Sequence, residues 1–166
     1  MKKIVLLLFA LVLPTVALAQ LPSVELKDID GKTVNTAELS DGGKPIIVSF
    51  FATWCKPCLR ELKAIHEVYQ DWQDETGVRL VAVSIDDGQN AQRVKPLVAG
   101  NGWEYQVLLD TNGDFKRAMN VNQVPHVFIL DGKGNVVYNH SGYTEGSEQH
   151  LIEVVRECLN KGKEMK

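Results

Sequence analysis

Hydrophobic positions along this chain fall into two alternating rhythms. Near-continuous apolar runs at Ile46–Phe51 and at residues 78–85 have the character of strands buried on both faces. Between residues 56 and about 73 the rhythm changes, and Cys58, Leu62, Ile65, Tyr69 and Trp72 recur at helical spacing with charges between them. That spacing predicts an amphipathic helix directly after the first apolar run. Residues 91–99 predict a second helix, bent or restarted by Pro96. Residues 105–109 predict a short strand, and residues 114–119 a short helix after the Asn112-Gly113 turn.

The ends of the chain carry hairpin signals. His126–Leu130, the turn Asp131-Gly132-Lys133-Gly134 and residues 135–140 read as two antiparallel strands. Val24-Glu25-Leu26 and Thr33-Val34 around Asp30-Gly31 read as a smaller hairpin placed ahead of everything else. Ser147 is positioned to cap a closing helix whose inward face carries Leu151, Val155, Cys158 and Leu159. The predicted order is βαβαβαββα behind a leading hairpin. No internal repeat, low-complexity tract or long linker interrupts it.

Composition sets the scale. With 166 residues, 45% of them hydrophobic and 23% charged, the chain has room for one domain with a proper core. Residues 1–19 read as a signal peptide: Lys2 and Lys3 form a positive start, residues 4–13 an apolar run, and Ala17-Leu18-Ala19 a cleavage signal before Gln20. The alternative is an uncleaved anchor to the inner membrane, against which Pro14 interrupts a run already short of the roughly 20 apolar residues a spanning helix needs. No cysteine follows the cleavage signal to carry a lipid. Residues 20–166 then form the domain. The formal charge is −3, and loss of Lys2 and Lys3 takes it near −5. A nucleic-acid partner would want a basic face, so none is expected.

The candidate chemistry is in the cysteines. Cys55 and Cys58 lie three apart at the predicted strand-to-helix junction, and Cys158 stands alone. Export places the pair where disulfides persist, yet it closes too short a loop to restrain much unfolded chain. A free thiol ionises at about 8.5, and helix N-termini and nearby cations lower this to between about 3.5 and 7.5. Cys55 should sit where unpaired backbone N–H groups favour a thiolate, with Lys56 adding a positive charge. Pro57 costs nothing in a first turn, because its missing N–H would have had no helical partner. Cys58, one turn inside and facing the core, would resolve the mixed disulfide that Cys55 forms with a substrate. Glu61 shares that helix face and is placed to take the Cys58 proton; as a bare spacing it is equally a solvated surface glutamate. Half of a zinc site is the main competing reading, but the remaining candidates, His66, His126, His140, His150 and Cys158, are scattered. No metal and no cofactor beyond a redox-active Cys55–Cys58 disulfide is expected.

The run Phe51-Ala52-Thr53-Trp54-Cys55-Lys56-Pro57-Cys58 resembles the active-site signature of the thioredoxin superfamily, in particular its exported TlpA/ResA-like branch. The leading hairpin, the C-x-x-C-x-x-E pattern ending at Glu61, and Val124-Pro125 before a hairpin carry the same resemblance over the chain from Pro22 onward. It implies a thioredoxin-like α/β fold, a central mixed sheet flanked by helices with the N-terminal hairpin as an extension. It also implies that Pro125 is the cis-proline facing the active-site disulfide, that Val124 offers its backbone to an extended substrate segment, and that Trp54 flanks the reactive sulfur. Two positions depart from the family pattern. Ser49 stands where thioredoxin itself has a buried aspartate, which would pass proton handling to Glu61. His126 stands where a threonine is usual, and its imidazole would tune Cys55 or simply substitute structurally. Cys158 reads as an inert core residue, and His66, His140 and His150 as surface or satisfied positions.

The function expected is a protein-disulfide reductase acting on periplasmic clients, with electrons from a membrane thiol donor of the DsbD/CcdA type and an apocytochrome c among the implied clients of cytochrome c biogenesis. A thiol oxidase uses the same motif; the two differ in reduction potential, about −270 mV for thioredoxin against about −120 mV for the oxidant DsbA. A copper-handling thioredoxin-fold chaperone is a third reading, disfavoured by the close cysteine spacing with a proline inside it. A peroxidase is a fourth, weak because its reactive cysteine sits in a different context.

Overall fold

The computed structural model describes residues 20–40 and 43–164; the leader read in residues 1–19 lies outside them. Among the described residues seven strands and four α-helices follow in the expected order: β1 (Glu25–Asp28), β2 (Thr33–Asn35), β3 (Ile46–Phe51), α1 (Lys56–Thr76), β4 (Arg79–Ser84), α2 (Val94–Asn101), β5 (Gln106–Leu109), α3 (Asp114–Ala118), β6 (His126–Leu130), β7 (Val136–Ser141) and α4 (Glu148–Glu164). One mixed sheet holds all seven strands in the order β2-β1-β5-β4-β3-β6-β7. β3 pairs parallel with β4, and β4 with β5, through helical crossovers. β6 runs antiparallel to β3, and β7 to β6. The leading hairpin joins the far edge through an antiparallel β1–β5 pair.

Helix boundaries follow local chemistry. α1 runs one turn beyond the periodic apolar stripe and stops at Gly77, whose φ of 69° is a left-handed conformation that costs glycine little. Residues 91–99 do not form one helix. A 3-10 turn over Ala91–Arg93 runs into α2, which starts at Val94 so that Pro96 falls in its first turn. Ser147 precedes α4, but its hydroxyl is buried and makes no hydrogen bond, so the expected side-chain cap is absent; backbone bonds from Gln149 to Gly146 and from His150 to Ser147 close that turn.

The pleat divides β3 between two cores. Ile47 and Phe51 face a cluster with Leu62, Ile65, Tyr69 and Trp72 of α1 and with Leu151, Ile152 and Val155 of α4. Val48 and Phe50 face the other side, where Phe50 meets Phe115 of α3 and Phe128 of β6 at ring-centroid distances of 5.2 and 6.0 Å. Every β3 residue is buried, Ser49 included, which explains the unbroken apolar run around it. The inward face of α4 is shorter than its sequence pattern suggested. Leu151 and Val155 are buried, but Cys158 and Leu159 are only half-buried, so Cys158 is not a core residue. It lines an apolar groove with Val137, Val154 and Pro45, and burial, with Asp131 second, holds its thiol above the ordinary range.

Candidate active site

The parallel register brings the C-terminal ends of β3, β4 and β5 to one end of the sheet. The pairing of Phe50 with His126 brings the start of β6 there too. After β3 the chain turns through Ala52, Thr53 and Trp54, closed by a Cys55 N–H bond to the Ala52 carbonyl, and enters α1. Cys55 is the N-cap. Its backbone is extended, and its Sγ accepts the Cys58 N–H at 3.3 Å. Cys55 and Cys58 form a disulfide with Cα atoms 5.3 Å apart. Cys55 is 6% exposed and Cys58 is fully buried, so of the two cysteines only Cys55 reaches the surface. Lys56 is exposed and Pro57 lies in the first turn.

Glu61 is no surface glutamate. It is 1% exposed on the same α1 face as Cys58. Ser49, across from it on β3, donates its hydroxyl to Glu61 Oε2 at 3.1 Å, while Oε1 is buried without a partner. Burial raises the carboxyl from 4.5 to about 7; the Ser49 bond opposes this, and Glu148 at the start of α4 adds to it. A carboxyl balanced near neutral pH can take up or release a proton at little cost.

Trp54 is 63% exposed beside Cys55. The turn beneath it is held by Asp86, itself 1% exposed. The Thr53 N–H and hydroxyl donate to the two Asp86 carboxylate oxygens at 2.8 and 2.7 Å, and Ser84 donates at 2.7 Å. Asp86 reads in sequence only as the polar stop after a buried strand. Neither Glu148 nor Tyr143, whose hydroxyl donates to Glu148 at 3.0 Å, had a sequence signal.

The Val124–Pro125 peptide bond is cis. Pro125 is buried, Val124 half-buried, and the Pro125 carbonyl accepts the Gly142 N–H at 2.8 Å. His126 shares the sheet face of its pairing partner Phe50, opposite to Glu61. Its ring stacks on Phe128 at 4.6 Å, and its Nδ1 lies 2.9 Å from Ser141 Oγ. Burial holds it below the ordinary histidine range, with Asn139 opposing. His66 packs edge-on against Tyr105, and His150 pairs with Glu153 at 3.3 Å. Both ring nitrogens of His140 are buried, and burial lowers its pKa, with the Gly142 backbone opposing and His150 adding to the shift. Among the described residues no group of three or more His, Cys, Asp or Glu side chains is arranged to hold a metal ion, and no helix is long and apolar enough to cross a membrane.

A buried disulfide whose first cysteine caps a helix at the end of a thioredoxin-like sheet defines a thiol-disulfide oxidoreductase. Comparison with known proteins narrows the class. Residues 18–139 match the AhpC/TSA family model, and the chain belongs to that family. It is similar to the thiol-disulfide oxidoreductase ResA of Geobacillus kaustophilus, 31% identical over 133 residues, covering 78% of this chain and 73% of that protein. ResA of Bacillus subtilis is 30% identical over 116 residues, 70% of this chain and 62% of the relative. Among solved structures, a thioredoxin-like protein from Porphyromonas gingivalis is 72% identical with a TM-score of 0.77, covering 87% of this chain and 95% of that one. StoA of Bacillus subtilis is 26% identical with a TM-score of 0.64, covering 80% and 96%. The chain is thus a thiol-disulfide oxidoreductase of ResA type.

Proposed function

We propose that this enzyme reduces disulfides in exported client proteins of the periplasm, an apocytochrome c among them, and is itself re-reduced by a membrane thiol donor of the DsbD/CcdA kind. The Cys55 thiolate attacks one client sulfur, forming a Cys55–client disulfide and releasing the other client sulfur as a thiolate, which takes a proton. Cys58 then gives its proton to Glu61 and attacks Cys55 Sγ, expelling the second client sulfur. Two electrons pass from the dithiol to the client, and the disulfide between Cys55 and Cys58 remains.

The observation that supports this reading best is the asymmetry of the pair: Cys55 Sγ sits at the helix N-cap and accepts an N–H, whereas Cys58 is sealed inside on the face of Glu61. An N-terminal helix position favours the anion on the outer sulfur. Trp54 and the half-buried Val124 would meet a client segment, Val124 contributing main-chain hydrogen bonds, with the buried Pro125 fixing the cis bond behind it. Lys56 and Pro57 tune the first turn. His126 is proposed to act only indirectly, by supporting the start of β6 through Phe128 and Ser141.

Two variants test the assignment. Cys55→Ala should abolish insulin-type disulfide reduction, and Cys58→Ala should accumulate mixed disulfides linked through Cys55; turnover by Cys55→Ala near the wild-type rate would refute the nucleophile. A midpoint potential near −270 mV supports the reductive direction, and one near −120 mV would reverse it.

A further inference from the structure

β3 is apolar along its length except at one position, and that position has one side-chain partner. Ser49 is fully buried and fixed on both sides by backbone pairing, to Ala82 of β4 and to Val127 of β6. Its side chain therefore points to the face it shares with Ile47 and Phe51, towards α1. A hydroxyl is costly in such a strand unless it is hydrogen-bonded, and here it bonds Glu61 Oε2 at 3.1 Å. The other carboxylate oxygen, Oε1, is buried and unpartnered. The arrangement makes the two oxygens of Glu61 inequivalent.

We propose that Ser49 is a positioning residue for the exchange reaction: its hydroxyl holds Oε2 of Glu61 and leaves Oε1 as the atom that receives the Cys58 proton and later returns it. The inference rests on the reading that Glu61 handles that proton. When Cys58 resolves a mixed disulfide, the S–H proton passes to Oε1, the sulfur electron pair forms the bond to Cys55 Sγ, and the Cys55–client bond breaks with its electron pair on the client sulfur. The client disulfide is the oxidant and nothing else is consumed. A hydroxyl suits the position because it can donate to the ionised carboxylate and rotate as the carboxyl gains its proton.

The groups around Glu61 make Ser49 the one that favours its charge. From α4 the Glu148 carboxylate faces it and, like burial, disfavours ionisation. From α1 Cys58 shares its face, and the strand neighbours Ala82 and Val127 carry no charge. Removing the Ser49 hydroxyl should therefore delay ionisation of Glu61.

The test is the rate of the resolving step against pH, read as the second burst of thionitrobenzoate when reduced full-length protein reacts with an aromatic disulfide. Wild type should show a limb with its midpoint near 7, the value to which Glu61 is raised. Ser49→Ala should move that midpoint up by about one pH unit, roughly tenfold in the ionised fraction below it, with the first burst unchanged at pH 8. Ser49→Thr, which keeps the hydroxyl, should restore the wild-type profile. Glu61→Gln should remove the limb. A limb absent in Glu61→Gln but unmoved in Ser49→Ala overturns the role of Ser49 and leaves that of Glu61 standing. A limb that survives Glu61→Gln overturns both.

Discussion

Glu61 shows what a single side chain contributes when spacing and burial act together. Its place three residues after Cys58 was readable, because positions three apart share a helix face. Its burial was not, since that depends on α4 and the sheet closing over α1. Ser49 was readable as a departure from the family pattern, but its bond to Oε2 needs a strand and a helix brought together in space. The raised carboxyl also has a thermodynamic consequence. The folded state holds the Glu61 proton up to about pH 7, whereas the unfolded chain releases it near 4.5. Between these values the folded state binds more protons, so stability falls as pH rises. At about 1.36 kcal/mol per pH unit, the loss reaches roughly 3 kcal/mol above neutrality. Glu61→Gln should therefore stabilise the oxidised protein by about that amount at pH 8 and by little at pH 4. Urea unfolding at the two pH values checks this, and equal effects at both would contradict the buried-carboxyl account.

At the scale of elements, the site depends on how β3 is joined to α1. The sequence made the junction visible: an apolar run, a C-x-x-C pair and a helical stripe follow one another without a gap. It did not show what holds the connecting turn, because Asp86 lies 33 residues from Thr53 and meets it only through the parallel β3–β4 pairing. Boundaries set by local chemistry were readable in part, with Pro96 restarting a helix as its missing N–H requires. Ser147 shows where such reasoning stops, since a capping residue type in a capping position still left its hydroxyl unbonded. Asp86→Ala would strand the Thr53 N–H and two hydroxyls, and should cost about 2–4 kcal/mol of unfolding free energy in urea. Thr53→Val, which removes one of these bonds, should cost about 1 kcal/mol. Near-neutral behaviour of Asp86→Ala would show that the turn is held by packing alone.

For the whole molecule, the order of strands and helices followed from periodicity, because each buried strand is an apolar run and each helix a stripe. Their sequence alone did not place the leading hairpin, which joins the sheet beside β5, with β5 and β4 between it and β3. What the assembled fold does for chemistry is converge the C-terminal ends of β3 and β4 and the start of β6 on the start of a 21-residue helix. The outer sulfur then accepts the Cys58 N–H while Cys58 itself stays buried. The most direct measurement is the rate of Cys55 alkylation by iodoacetamide in the reduced protein as a function of pH, followed by mass spectrometry with Cys58→Ala as the background. A midpoint within the range of about 3.5 to 7.5 is expected for a thiolate held at a helix N-terminus. A midpoint at about 8.5, that of an ordinary free thiol, would contradict the account.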